Sequence, residues 1–316
     1  MAPLSVLLLG GTGTIGRATA QALRAEGHRV TAQIRPQADA ARLAGCTILR
    51  GQIEPAALAS AMTGIDAVVS CMASRTGAPQ DAWAIDHAAN AAALEAAINA
   101  RVRHFVLVSA ICVQKPLLDF QRAKLAFEAE LQAAPLDWTI VRPTAYFKSL
   151  SGQVARVQKS RPFLVFGTGR LTACKPISDA DLGRFLGLCL TDPDKRNRIL
   201  PIGGPGPAIT PMDQAAMLER LLGRPVPIRH VPVALMSGIV GFLTALGAIS
   251  PRCAARAGLG RIGHYYATQS MLVWDAARDR YDADATPEFG TDRLEDHYSA
   301  MLRGEIADDR GAHAVF

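Results

Sequence analysis

The chain has 316 residues, 49% of them hydrophobic and 20% charged. This is a globular balance that excludes disorder and suits one large α/β domain or a nucleotide-binding domain with a smaller lobe. The net charge of +6 and pI near 9.2 come from scattered basic residues, which argues against a nucleic-acid partner and fits an anionic substrate, a phosphorylated cofactor or an anionic membrane surface. Six cysteines with no C-x-x-C pair read as buried thiols in a reducing, cytoplasmic compartment, with no iron–sulfur centre, structural zinc or other metal site.

The opening MAPLSVLLLGG lacks a positive leader region and ends in glycines, so residues 5–9 are expected to form a buried strand. A helix follows over 14–26, stopped by Gly27. Strands are expected at 29–34, 47–49 and 67–71, with a helix near 56–62 before the last of them. The Ala-rich stretch 82–100 reads as a long helix, 105–109 as a strand, 119–133 as a helix and 138–141 as the sixth strand. Alternating strands and helices, with strands apolar throughout, predict a Rossmann-type doubly wound parallel sheet covered on both faces. Residues 1–150 are expected to form this sheet domain. Residues 151–316 would form a smaller C-terminal substrate lobe, some of its segments returning to the sheet.

In that second part, helices are expected at 147–159, at 177–190 with Ser178 or Asp179 as cap, and from Pro211 with Thr210 as N-cap. Others are expected at 256–267 and near 291–302. Residues 231–251 carry no charge, a length approaching that of a membrane span. Pro232, Gly238, Gly241 and Gly247 interrupt the run, and a single crossing would place everything after it on the far side. A buried helix, or a surface that docks on membrane or pigment, is the expectation.

Residues 10–16 read GGTGTIG, directly after a strand and opening a helix. Gly10 permits the tight turn, Gly13 lets backbone N–H groups approach a pyrophosphate, and Gly16 lets helix and strand pack closely. The helix N-terminus at Thr12, Thr14 and Ile15 adds partial positive charge for the phosphates. The second strand ends in Gln33-Ile34-Arg35, without the acid that an NAD site places against the ribose 2′-hydroxyl. The nearest acid is Asp39. Arg35, helped by Arg17, would pair with a 2′-phosphate, which favours NADPH over NADH.

The glycine motif, the alternating units and a lysine in the helix after strand five resemble the atypical short-chain dehydrogenase/reductase superfamily. Within it, LLDFQRAKLAFEAEL (117–131), TIVRPTAYFKSLSGQ (139–153), ACKPISDADLGRF (173–185), SMLVWD with YDADATPEFG (270–290) and the closing RGAHAVF are similar to the NADPH-dependent divinyl chlorophyllide 8-vinyl reductases of phototrophs. The superfamily's Y-x-x-x-K pair falls on FQRAK, with Phe120 in the tyrosine place and Lys124 in the lysine place. Phenylalanine has no proton to give, which puts ketone reduction in doubt. Reduction of a carbon–carbon double bond makes no alkoxide that needs a phenol beside it. Lys124 is then implied to clamp the nicotinamide ribose, and Ser109 falls where the superfamily often has its catalytic serine. Gln52 stands where relatives often have an acid near the adenine.

The resemblance implies a flat, anionic Mg-tetrapyrrole as substrate, handled in the cytoplasm or at the edge of the photosynthetic membrane; residues 231–251 are candidates for a peripheral membrane contact, a wall for the macrocycle or a segment buried against the core. Tyr146 lies just past the sixth strand, where such folds bind ligands, and is a candidate proton source alongside Lys124 or water; a core tyrosine fits equally. Arg142 and Lys148 are candidates for the substrate carboxylate, with Phe147 beside them. Arg142 suits a structural carboxylate equally well. His264 is not expected to ligate the magnesium, which prefers oxygen. Two other readings share the cofactor signals: another ene or ether reductase of the isoflavone-reductase type, and an NADP-sensing regulator or complex-assembly protein that performs no chemistry.

Overall fold

The computed structural model describes residues 2–75, 78–247 and 249–306, without the side chains of Ala56 and Pro251. The stretch RGAHAVF (310–316) lies outside the described residues. In chain order the elements are β1 (Ser5–Leu9), α1 (Thr14–Ala25), β2 (Arg29–Ile34), β3 (Thr47–Arg50), α2 (Pro55–Ala61), β4 (Ala67–Ser70), α3 (Pro79–Ala82), a π-helical segment (Trp83–Ala89), α4 (Asn90–Asn99), β5 (His104–Val108), α5 (Asp119–Gln132) and β6 (Asp137–Pro143). There follow α6 (Phe147–Leu150), α7 (Val154–Gln158), β7 (Phe163–Phe166), α8 (Asp179–Thr191), β8 (Arg198–Ile202), α9 (Pro211–Leu222) and β9 (Ile228–Val231). The chain continues with α10 (Val233–Gly247), α11 (Pro251–Thr268), the β10 (Val273–Asp275)–β11 (Arg280–Asp282) hairpin and α12 (Leu294–Leu302).

Seven strands form one parallel sheet in the order β3-β2-β1-β4-β5-β6-β8. The chain winds outward from β1 to β3, then returns to β4 and winds the other way. The carboxyl ends of β1 and β4 therefore flank the point where the winding reverses, the crevice in which such sheets bind ligands. One face is sealed by α1 and α8 over Val6, Leu8, Val69 and Val106; the other by α2, α4 and α5 over Leu7, Leu9, Val68 and Phe105. α8 crosses α1 so closely that a Cβ on Gly183 would lie 2.7 Å from the Ala18 carbonyl oxygen. A separate cluster with Phe147, Phe163, Leu218 and Tyr298 holds α7, α9 and α12 together.

The expected elements of the first half are present to within a residue or two at most ends. The 82–100 helix differs in kind: its first turns are π-helical over Trp83–Ala89. The wider turn leaves carbonyls for the Asn90 side chain, whose Nδ2 donates to Ile85 and Asp86 O at 3.1 and 3.3 Å. The 147–159 helix is divided into α6 and α7 by a 3₁₀ turn at Ser151–Gln153, where the Ser151 hydroxyl bonds back to the Phe147 carbonyl. Ser178 is the α8 cap, accepting from Asp181 N at 2.9 Å. Thr210 caps α9 with Pro211 at the first helical position. β8 is an edge strand whose Pro201 breaks the sequence pattern of a buried strand. α11 begins at Pro251, five residues before the helix expected at 256, because Ser250 caps it and proline suits its first turn.

The stretch 286–292 folds back over the end of β8. Gly203 N donates to Pro287 O at 2.8 Å and Lys175 Nζ meets Glu288 at 2.6 Å. The fully buried Asp181 accepts from Asp292 N at 2.9 Å. Gly290 sits at φ +93° with its missing Cβ aimed at that carboxylate, 2.0 Å from Asp181 Cγ. Gly290→Ala is therefore expected to destabilise the protein by more than about 1 kcal/mol, through both the backbone conformation and the clash. Urea unfolding that leaves the variant as stable as the parent would contradict this packing.

Candidate active site

The glycine turn closes on the exit of β4. Gly10 has φ +73°, and a Cβ on it would lie 2.7 Å from the Cys71 carbonyl carbon and oxygen. A Cβ on Gly16 would lie 2.3 Å from the Gly10 carbonyl oxygen. These two glycines are required by the protein's own packing. Gly13 is different, since a Cβ there would meet only the Gly10 carbonyl oxygen, at 3.3 Å. Its bareness serves what approaches from outside, as close contact with a pyrophosphate requires. Gly13 is also the N-cap of α1, with no side chain capping the helix and no acid in the first turn. The first N–H groups of α1 and their partial positive charge thus face the crevice.

Around the turn, Arg17 donates to Thr12 O at 3.1 Å and Ile15 packs into the core. Lys148, from the loop side of β6, reaches Thr14 Oγ1 at 2.9 Å, which places its ammonium at the head of α1. Arg35 is exposed at the carboxyl end of β2. Asp39, exposed in the loop after it, accepts from Ala41 N at 2.8 Å. Arg50, not singled out in the sequence, pins the loop after Arg35 by donating to Pro36 O and Ala38 O at 2.9 and 2.8 Å. The end of β2 thus presents the Arg35 and Arg50 cations and no carboxylate at the strand end itself, a donor set matched to a 2′-phosphate. Turn, helix terminus and cationic strand end together fit a phosphorylated dinucleotide.

Further along the same edge two buried ionic networks flank β5. Lys124 Nζ meets Asp86 Oδ1 at 2.9 Å, with the side chains 9% and 1% exposed. Asp86 comes from the π-helical segment, and its neighbour Asn90 accepts from Ser70 Oγ at 2.6 Å at the end of β4. In the second network, Ser109 Oγ donates to Glu128 Oε1 at 2.5 Å. Arg142 donates to both Glu128 oxygens, through Nε at 3.2 Å and through its terminal nitrogen. Ser109 and Arg142 are thus engaged with the same buried carboxylate. Phe147 is 4% exposed, in the cluster with Phe163 and Tyr298, and finds no place at this edge.

Tyr146 ends the row, just after β6. Burial raises its phenol pKa above the usual value, and the neighbouring Cys71 and Cys112 thiols raise it further. Burial pushes the Cys71 thiol up to about 12. Cys112 sits in the short turn after β5, where its carbonyl accepts from Gln121 Nε2 at 3.1 Å, and burial raises its thiol pKa. Tyr265, on α11, donates to Cys112 O at 2.9 Å. The late helix α11 therefore brings a second phenol, Tyr266, to the same edge. Phe120, half-buried in the first turn of α5, supplies none. His264 bonds Ser237 across the α10–α11 hairpin at 3.0 Å.

Sequence reasoning missed Asp86, Glu128, Arg50, Cys112 and Tyr266. Two of these left a signal: Glu128 follows Lys124 by one helical turn on the same face, and Asp86 is one of only two acids in the Ala-rich helix 82–100.

A family model described as NAD(P)H-binding matches residues 10–193, which covers the glycine turn and most of the sheet. The divinyl chlorophyllide a 8-vinyl-reductase of Zea mays is 42% identical over 99% of this chain and 83% of its own length. The chain belongs to the divinyl chlorophyllide a 8-vinyl-reductase family. A photosystem II assembly factor, Ycf39 of Cyanophora paradoxa, is more distant, at 27% identity over 74% of this chain and 73% of that one. Among solved structures, AtPrR2 with NADP+ and (+)pinoresinol superposes with a TM-score of 0.69 at 17% identity, covering 95% of this chain and 99% of that chain, a likeness of fold.

Two substitutions separate the roles of the glycines. Gly13→Val is expected to leave the melting midpoint nearly unchanged and weaken NADPH binding about tenfold or more; Gly16→Ala should lower the midpoint itself. Equal effects in both assays would contradict the assignment. Asp86→Asn leaves the Lys124 charge buried without its partner, an expected loss of about 3–5 kcal/mol in urea unfolding. Asp86→Asn with Lys124→Met should recover most of it. An unchanged Asp86→Asn would show that the pair is not buried as described.

Proposed function

We propose that this chain reduces the 8-vinyl group of a divinyl chlorophyllide or protochlorophyllide to ethyl with NADPH. The observation that carries the reading is 42% identity to a reductase of that name across nearly the whole chain, including the substrate lobe. The loss of the phenol at Phe120 supports it. A carbonyl reductase needs an acid there to meet an alkoxide, whereas saturating a vinyl group puts a hydride on one carbon and a proton on the other. The 27% identity to an assembly factor covers less of the chain and is much weaker support for a role without chemistry.

NADPH when bound supplies the hydride. The α1 N–H groups and Gly10–Gly16 hold its pyrophosphate, with Lys148 and Arg17 adding charge beside them. Arg35, on the loop that Arg50 pins, takes the 2′-phosphate. Lys124 reaches the nicotinamide ribose from its pairing with Asp86. Ser109 and Arg142, tied to Glu128, form a fixed polar wall rather than a carboxylate receptor. Tyr146 keeps its proton because burial disfavours the phenolate, and it is the residue assigned to deliver that proton. The macrocycle lies against the Tyr146–Tyr266 side of the edge, and the helical hairpin over residues 231–251 is the face that meets a membrane.

Purified protein given NADPH and divinyl chlorophyllide is expected to convert it to the monovinyl pigment, read by the absorption shift and by chromatography. Lys124→Ala should raise the NADPH KM and Tyr146→Phe should lower kcat. Because the Tyr146 pKa is raised, the phenol stays protonated past its ordinary value, so kcat should show no alkaline decline from this group below about pH 10. NADPH binding without any pigment conversion would overturn the proposal.

A further inference from the structure

We infer that the α10–α11 hairpin is an in-plane anchor for an anionic lipid surface, and that it sets the mouth of the active site against that surface. This deepens the membrane contact proposed above and rests on that reading. α10 has 15 residues, no charge and no buried residue, although it is the most apolar helix of the chain. It is packed along α11 through small residues: a Cβ on Gly260 would lie 2.9 Å from Val240 Cγ2, and one on Gly247 3.1 Å from Ala254 Cα. The opposite face carries Leu235, Ile239 and Phe242, which are 55%, 52% and 65% exposed, and Ile249 near the hairpin tip is 83% exposed. Leu235, Ile239 and Phe242 recur at four and three residues, so they form one stripe.

Length decides how such a stripe meets lipid. Fifteen residues of helix span about 22 Å, against a hydrocarbon core of about 30 Å. No helix among the described residues is long and apolar enough to cross a membrane. A short apolar helix lies in the interface plane instead.

Charge decides which lipid. From Arg220 to Trp274 the sequence holds six arginines and neither aspartate nor glutamate. Arg229, just before α10, and Arg252 and Arg256, in the first turns of α11, are exposed around the apolar stripe. Arginines ringing an apolar face, with no acid among them, complement anionic headgroups and not a zwitterionic surface. The far end of α11 reaches the site, where Tyr265 donates to the Cys112 carbonyl at 2.9 Å. A hairpin seated in lipid therefore holds the Tyr146–Tyr266 side of the cleft next to the membrane, from which an amphiphilic macrocycle can be taken up without crossing water.

The test is flotation of the full chain with phosphatidylcholine vesicles, and with vesicles of phosphatidylcholine and phosphatidylglycerol at two parts to one. The protein is expected to float with the anionic vesicles, not with the neutral ones, and to be released by salt. Phe242→Asp and Ile239→Asp should each weaken flotation about tenfold or more. Arg252→Gln with Arg256→Gln should weaken it and reduce the salt dependence. These residues are exposed, so the variants should keep their melting midpoint and their vinyl reduction on detergent-dispersed pigment, while the lower KM for pigment supplied in anionic vesicles is lost.

Failure of the parent to float with anionic vesicles, or equal flotation of Phe242→Asp, would overturn the inference. So would light scattering that shows a stable dimer which Phe242→Asp splits, because a second copy would then cover the stripe. Flotation as expected from a protein that reduces no pigment in detergent would uphold the anchor and discard the vinyl-reduction reading.

Discussion

Gly16 packs so closely on the Gly10 carbonyl that a Cβ would lie 2.3 Å from its oxygen, and Gly10 in turn leaves no room for a Cβ against the peptide after β4. That three-way contact fixes where α1 begins relative to the two strands at which the sheet reverses its winding. The helix N-terminus, the bare Gly13 and the Lys148 ammonium all take their positions from it. A turn one methyl group larger would lift α1 off the sheet and separate its N–H groups from the strand ends that carry Lys124's neighbours and Tyr146. The shape of the turn therefore follows from steric closure inside the protein, and Gly13 is the glycine of the three that this closure demands least.

From that fixed point the edge of the sheet divides into two chemistries. On the cofactor side, buried charge is closed upon itself. Lys124 pairs with Asp86, and Ser109 and Arg142 share Glu128. Such pairs contribute little net stability, since desolvation offsets attraction, but breaking one leaves a charge stranded, which keeps the geometry rigid. On the other side, Cys112, Tyr146 and Tyr266 form a weakly acidic region whose groups burial keeps protonated. A protonated phenol in such surroundings suits proton delivery to carbon, where no oxyanion has to be stabilised beforehand. The α10–α11 hairpin extends this side outward to the surface.

The alternation of strands and helices, the glycine turn and the resemblance were all written in local residue patterns, and the parallel sheet followed from them. Ser178 and Thr210 were legible as caps because capping depends on a few adjacent residues. What was not legible depended on distant partners. β8 joins the sheet beside β6 despite Pro201, because an edge strand tolerates a missing donor on its open side. Arg142 could be read as a substrate contact or a structural one, and only the fold, by bringing β6 beside α5, shows it bound to Glu128. Phe147 reads as a pocket residue by its place in the motif, yet the break at Ser151 turns it into the satellite core. Tyr266 lies far from the other site residues in sequence and reaches them only because α11 returns to the turn after β5.

The central claim is that the dinucleotide and the vinyl group meet at this one edge of the sheet. A single turnover with NADPH deuterated on the transferred face of nicotinamide C4, followed by mass spectrometry and NMR of the pigment, tests it most directly. The account predicts one deuterium in the new ethyl group at C8, with the second hydrogen drawn from solvent. An ethyl group without the label, or a label retained on the nicotinamide while pigment is reduced by another donor, would contradict it.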